Sequence, residues 1–296
     1  MTIKRNRNLM LQKSTIQLLR FPFAFFLMPV YFFALSQTVY TNWWKAALVF
    51  FILHGLVYPA SNGYNSYMDG DQSSIGGVRE PMLPTPQLRQ VVLGMDIVAI
   101  VSGLLVSRWF AMGLVTYILA SRIYSSRITR IKKYPFAGFF LVIICQGALV
   151  FWMVYHGVHA KHPLQAPVTG MLASTFLIAG AYPLTQVYQH DADRRDGVTT
   201  ISMILGIRGT FWLSGLLFNI AFILLGIHFA LQLELVRFFI LLLCFLPVLI
   251  FFITWARKVW RNKTEASFDN LMMMNKLAGI CSNTGFLILV IWKIID

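Results

Sequence analysis

The chain has 296 residues, 57% of them hydrophobic, 15% aromatic and only 12% charged. That balance excludes an ordinary soluble domain and marks a chain built to cross a membrane. The net charge of +14 does not call for nucleic acid, because the basic residues collect in the loops of one face. The three cysteines, Cys145, Cys244 and Cys281, lie at unrelated spacings inside apolar runs, which argues against a disulfide framework or a cysteine metal cluster.

A helix needs ~20 apolar residues to span ~30 Å of hydrocarbon. Runs of that kind predict nine transmembrane helices, near 15 to 35, 44 to 68, 89 to 107, 109 to 125, 137 to 156, 167 to 190, 210 to 231, 236 to 256 and 273 to 294. The runs are continuous rather than alternating, so the expected fold class is all-α, a polytopic helical bundle and not a closed barrel. No linker of domain-separating length interrupts them, and residues 1 to 296 read as one membrane domain. With the N-terminus inside, only Lys45, Arg108, Lys161, Arg237 and Lys293 fall outside, leaving 20 of the 25 basic residues inside. This satisfies the positive-inside rule and sets the C-terminus outside.

The first helix lacks a small-residue cleavage site and reads as a retained span; Arg20 stands at its inside end. The second ends in "SNGYNSYMDGD", where Ser61, Asn65 and Asp69 follow one another at i, i+4 and i+8 and so share a face. Asp96 sits in the apolar start of the third helix, where an ionisable group is costly. It is expected to make a structural polar contact, with orientation of Arg89 or a catalytic role as the alternatives. The loop after the fourth helix, "YSSRITRIKKYPF", is the densest basic segment, with Arg127, Arg130, Lys132 and Lys133. Such a stretch serves topology or binds anionic lipid headgroups; its place between two acidic segments adds a phosphate contact as a reading. The histidines of the outside loop "YHGVHAKHP", His156, His159 and His162, are expected to be solvated.

The sixth helix ends in "YQHDADRRDGVTT", where Gln189, Asp193 and Asp196 again share a face at i, i+4 and i+7. Five of the eleven carboxylates thus lie in two windows on the inside. Two faces of Asn, Gln and Asp oxygens set opposite one another suit Mg²⁺ when phosphate supplies further ligands. Neighbouring Arg and Lys would hold the remaining phosphate oxygens. The expected site is a Mg²⁺-diphosphate cradle at the inside membrane face.

These residues carry a family resemblance. "SNGYNSYMD" resembles the first aspartate-rich motif of the UbiA superfamily of intramembrane prenyltransferases, NDxxDxxxD. "QHDADRRDGVTT" is similar to the second, DxxxD followed by Gly and Thr, and "YSSRITRIKKYP" to the basic segment between them. On that pattern Ser61 stands at the first Asn, Asn62 and Asn65 at the first two Asp, and Asp69 at the last. Gln189 and Asp193 stand at the paired Asp of the second motif, and Gly197 and Thr200 match its trailing residues. Three expected carboxylates are therefore amides, and Asp71, Asp191 and Asp196 are the acids near enough to compensate.

The resemblance implies transfer of an isoprenyl group from its diphosphate to a lipophilic acceptor: an aromatic acid, a quinone precursor, a tetrapyrrole or a glycerol lipid. Asp69, Asp193, Lys132 and Tyr124 are the expected catalytic residues. Asn62, Asn65, Arg130, Lys132, Gln189 and Arg20 would bind the diphosphate, and Asn65, Asp69, Gln189, Asp193 and Asp196 would hold Mg²⁺. Tyr67, Tyr124 and Tyr188 are the aromatic faces nearest the motifs, fit to stabilise an allylic cation. The expected location is the cytoplasmic membrane, with the site on the cytoplasmic side and membrane lipids around it. A non-catalytic isoprenoid-diphosphate binder and a membrane transporter are the competing readings.

Overall fold

The computed structural model describes residues 11–295; the basic residues Lys4, Arg5 and Arg7 counted in the topology lie outside that range. Ten α-helical elements follow in chain order, besides short 3₁₀ turns at Ile131–Lys133 and Lys263–Glu265: α1 Lys13–Ser36, α2 Trp43–Asp69, α3 Pro86–Val106, α4 Arg108–Ser125, α5 Pro135–Val158, α6 Val168–Gln186, α7 His190–Arg195, α8 Ile201–Leu231, α9 Leu235–Arg261 and α10 Phe268–Ile295. Only isolated bridges, Thr41 with His159 and Ile75 with Val78, depart from helix and loop among the described residues.

Nine of these elements are long rods, one for each predicted span. Eight are long and apolar enough to cross a membrane. The ninth, α4, has 18 residues and carries Arg108 and Arg122, which lowers its apolarity. Two boundaries differ from the sequence reading for physical reasons. The predicted sixth helix divides, because Pro183 opens a 3₁₀ turn over Tyr182–Gln186 that halts α6 before α7 begins. The seventh starts nine residues early, since Thr200 caps α8 by accepting from the Met203 N–H at 3.3 Å. Its first turns connect to the rest through a kink at Gly206, which has φ 66°.

The rods α1, α2, α4, α5, α6, α8, α9 and α10 form a ring, each packing on the next and α10 closing against α1. α3 lies outside the ring against α2 and α4 and lines none of the central cavity. At one end the ring is closed by aromatic packing. Phe33 stacks on Phe286 with ring centroids 4.9 Å apart and meets Phe151 at 5.2 Å. The Lys293 ammonium there donates to Leu35 O, Thr38 Oγ1 and Thr41 Oγ1 at 2.9, 2.8 and 2.6 Å, pinning the end of α10 to the end of α1. The start of α1 lies at the opposite, open end.

The histidines of the closed end are not solvated as expected. His156 is fully buried and His159 nearly so. His156 bridges Ser107 Oγ at 2.7 Å and Pro163 O at 2.9 Å, so the loop folds inward to satisfy its own backbone.

Asp96 proves to be the structural contact. It is buried and ion-paired to Arg122 on α4, whose guanidinium lies 4.2 Å over the Tyr64 ring on α2. The three helices are thus tied together on the outer side of the cavity wall. An Asp96→Ala variant strands the Arg122 charge in a dry environment and is expected to cost about 3–5 kcal/mol. Thermal unfolding in detergent would read this as a lowered midpoint, and an unchanged midpoint would contradict the role.

Candidate active site

The open end leads into a cavity of about 1310 Å³. Both polar motifs reach it. α2 runs on through "ASNGYNSYMD" and stops at Gly70, whose φ of 61° supplies the left-handed turn that a side chain would resist. Ser61, Asn62, Asn65 and Asp69 all line the cavity from this helix, as their shared face predicts. Gln189, Asp193 and Asp196 line it from α7, and Gly197, with φ 66°, turns the chain away afterwards. Lys132 enters between the two walls, and Arg20 enters from α1.

On the α2 wall Asp69 is ion-paired through Oδ1, which accepts no hydrogen bond, and accepts one through Oδ2. The Lys132 ammonium sits 2.5 Å from Oδ1, and Asn65 Nδ2 donates to Oδ2 at 2.9 Å and to Ser125 Oγ at 3.1 Å. Arg130 is ion-paired to Asp196 and stands 3.9 Å from Asp69. It is absent from the cavity lining, so it braces the two walls from behind. Arg130 and Arg20 both hold left-handed backbone, with φ of 45° and 50°, a conformation costing about 1–3 kcal/mol for such residues. Two strained arginines at one site indicate that their placement is enforced by what surrounds them.

The α7 wall is different. Asp193 makes no ion pair among the described residues, nor does Asp71, which follows the α2 stop and also lines the cavity. Burial pushes Asp71 up to about 6, helped by the Asp69 charge and opposed by Lys132 and Arg20. Burial likewise lifts Asp193 to about 6 against the pull of Lys132, with Asp69, Asp71 and Asp196 adding repulsion. Gln189 donates through Nε2 to Ser74 O at 3.3 Å, which leaves its carbonyl oxygen uncommitted. The same bond helps hold the 70–78 loop across the mouth, where Arg20 donates to Gly76 O at 3.3 Å and to Asn62 O at 3.2 Å.

The mouth also holds buried donors without acceptors: Ser61 Oγ, Asn62 Nδ2 and Arg20 Nε. Unmade hydrogen bonds of this kind are costly and point to an oxyanion as the missing partner. Carboxylates without an ion pair among the described residues share the mouth with donors lacking acceptors, which is the arrangement a Mg²⁺-diphosphate pair would complete. No group of three His, Cys, Asp or Glu side chains at metal-holding spacing occurs among the described residues. The donor set nevertheless suits Mg²⁺, a hard ion that takes one or two carboxylates and fills the rest with water and phosphate.

Other expected residues distribute unevenly. Tyr124 lines the cavity with its hydroxyl 2.6 Å from that of Tyr182, and Tyr188 lines it from beside α7. Tyr67 instead packs with Leu18, Leu19 and Leu88 outside the lining. Asp191 is exposed and pairs with Arg194 at 3.1 Å, so it does not compensate for the missing acids. His190 faces Ser202 Oγ at 2.8 Å.

Sequence reasoning missed Tyr182, Gln186, Gln146 and Asn219, which all line the cavity. Asn219 and Gln146 left a signal, each as an amide within an apolar span. Below the mouth the lining turns apolar, with Phe218, Phe222, Phe245, Leu249 and Phe286 reaching from α8, α9 and α10.

A family model described as the UbiA prenyltransferase family matches residues 23–277. The chain is 30% identical over 199 residues to a probable chloroplastic homogentisate phytyltransferase 2 from Oryza sativa subsp. japonica, covering 60% of this chain and 50% of that protein. The aligned stretch thus spans half the length of that relative. Among solved structures, a UbiA homolog from Archaeoglobus fulgidus bound to GPP and Mg²⁺ superposes with a TM-score of 0.67 at 16% identity, covering 94% of this chain and 99% of that one. The apo UbiA homolog from Aeropyrum pernix K1 gives 0.67 at 16% identity over 90% and 97%. A digeranylgeranylglyceryl phosphate synthase gives 0.62 at 18% over 96% and 99%. At these identities the three structures speak for the fold.

Proposed function

The chain belongs to the UbiA prenyltransferase family, and we propose that it moves an isoprenyl group from a polyprenyl diphosphate to a lipophilic acceptor within the membrane. The observation that carries this reading is the cavity mouth, where the buried donor atoms Ser61 Oγ, Asn62 Nδ2 and Arg20 Nε lack acceptors and the carboxylates Asp71 and Asp193 make no ion pair among the described residues. The apolar lining below it suits an isoprenyl chain. The archaeal homolog's ligands, GPP and Mg²⁺, and the rice relative's phytyltransferase name agree with this chemistry. The acceptor class stays at lipophilic: aromatic, quinone-precursor or glycerol-lipid. The open end carries the basic loops, and we place it on the cytoplasmic side by the positive-inside rule, with the N-terminus inside and the C-terminus outside.

Mg²⁺, when bound, supplies the positive charge that offsets the charge developing on the departing diphosphate. Asp193, Asp71 and the Gln189 carbonyl would hold it, while Asp69 and Asn65 line the opposite wall. Lys132 and Arg20 bind the diphosphate oxygens. Ser61 and Asn62 donate to them from α2. As the allylic C–O bond breaks, its electron pair leaves with the diphosphate, and these preset donors stabilise that charge without reorganising. The face of Tyr124, held by Tyr182, stabilises the allylic carbon as positive charge grows there. The closed end and the loop over the mouth exclude water. The acceptor then bonds to the allylic carbon and gives up a proton.

A ring closed at one end by Phe33, Phe151 and Phe286 supports this reading over a transport path. The test is to incubate the purified protein in liposomes with labelled farnesyl or geranylgeranyl diphosphate and a panel of acceptors. Release of diphosphate should require an acceptor, and EDTA should slow it by about 10² or more. Release that persists in EDTA, or labelled substrate crossing the bilayer unchanged, would overturn the proposal.

A further inference from the structure

The two walls of the mouth differ in a way that bears on how many metal ions they hold. On the α2 wall, the amides Asn62 and Asn65 bring no charge. The one carboxylate, Asp69, has Lys132 at 2.5 Å on Oδ1 and Asn65 at 2.9 Å on Oδ2. Its side chain is 8% exposed and that of Lys132 is 11% exposed, so the pair is screened from water and stays formed. A dication approaching Asp69 would meet an ammonium at contact distance and two neutral amides. Like charges so close in a buried setting repel strongly.

The wall formed by α7 and the 70–78 loop offers the reverse. Among the described residues Asp193 and Asp71 are carboxylates with no ion pair, and Gln189 has its carbonyl oxygen uncommitted. Asp196 lies beside them but is already paired to Arg130. Two carboxylates outside any ion pair and an amide oxygen make an adequate protein share for one Mg²⁺, with diphosphate and water completing the shell.

We propose that a single Mg²⁺ serves this site, held by Asp193, Asp71 and Gln189, and that the Lys132 ammonium fixed on Asp69 supplies the positive charge on the opposite wall. This rests on the prenyl-diphosphate reading above and refines it. Asp69 thereby becomes a positioning residue for Lys132 and not a metal ligand. The amide substitutions in both motifs then have one consequence: they lower the negative charge of the mouth to what one dication and one lysine balance.

The test counts bound ions independently of turnover. Purified full-length protein in nanodiscs is saturated with farnesyl thiolodiphosphate, in which sulfur replaces the bridging oxygen, and Mn²⁺ binding is titrated by the loss of the free-ion EPR signal. One Mn²⁺ per chain is expected in the unaltered protein and in Asp69→Asn, and none at the same concentrations in Asp193→Asn. Two ions in the unaltered protein, or loss of the ion in Asp69→Asn with retention in Asp193→Asn, would overturn the single-ion site. Calorimetric binding of the thiolodiphosphate is read in parallel. If the analogue fails to bind at all, the prenyl-diphosphate reading itself falls, which a count of two ions with the analogue bound would leave standing.

Discussion

Asp193→Asn is expected to lower prenyl transfer by about a thousandfold, the scale of losing charge stabilisation from a preorganised polar site. The substitution keeps size and shape. The backbone of Asp193 still receives the Val198 N–H, now at 2.9 Å, so the turn into Gly197 is preserved and the loss reports on charge alone. Asp193 is a cavity-lining carboxylate raised in pKa by burial and surrounded by Asp69, Asp71 and Asp196. A half-buried carboxylate in such a field persists because something positive is meant to join it. The measurement is initial diphosphate release at saturating prenyl diphosphate and acceptor, with the bound-ion count as control. Turnover within threefold of the unaltered protein would show that the metal oxygens have been misassigned.

How much of this was legible in the sequence follows from where the information lies. Membrane spans are written in local apolarity, so nine rods could be read from nine runs, and helical spacing placed Asn65 with Asp69 and Gln189 with Asp193 on common faces. Charge partners are not local. Nothing in "RITRIKK" distinguishes Lys132, which enters the cavity, from Arg130 two residues earlier, which braces it from behind; the left-handed turn at Arg130 decides that. Asp71 and Asp191 looked equivalent as spare acids, yet one follows the Gly70 turn into the cavity and the other points to solvent on α7. The burial of His156 depended on a carbonyl seven residues away and a serine on α4's cap, contacts that only the folded loop creates.

Lys132→Met should reduce turnover by about 10² to 10³; stranding the buried Asp69 charge lowers the unfolding midpoint, while methionine fills much of the same volume with a flexible apolar chain and keeps the helices packed. Two effects act together. The diphosphate loses a cation preset on its path, and Asp69 loses the partner 2.5 Å away that neutralises it. The second effect gives the variant a signature that a merely disrupted site lacks. Asp69, freed of the ammonium, becomes an oxygen ligand on the α2 wall, so a second divalent ion gains a place to bind. Raising Mg²⁺ well above the level that saturates the unaltered protein should therefore restore part of the activity of Lys132→Met. The same Mg²⁺ should do nothing for Asp193→Asn beyond what mass action on a weakened site allows, and nothing for a Lys132→Met/Asp69→Asn double variant. Lys132→Arg keeps the charge but presents a wide planar fork where a compact ammonium sits, and an intermediate loss without Mg²⁺ rescue is expected. Steady-state assays across a Mg²⁺ series would separate these outcomes. If Lys132→Met showed no rescue while the double variant matched it at every Mg²⁺ concentration, the ammonium would not be standing in for a metal ion.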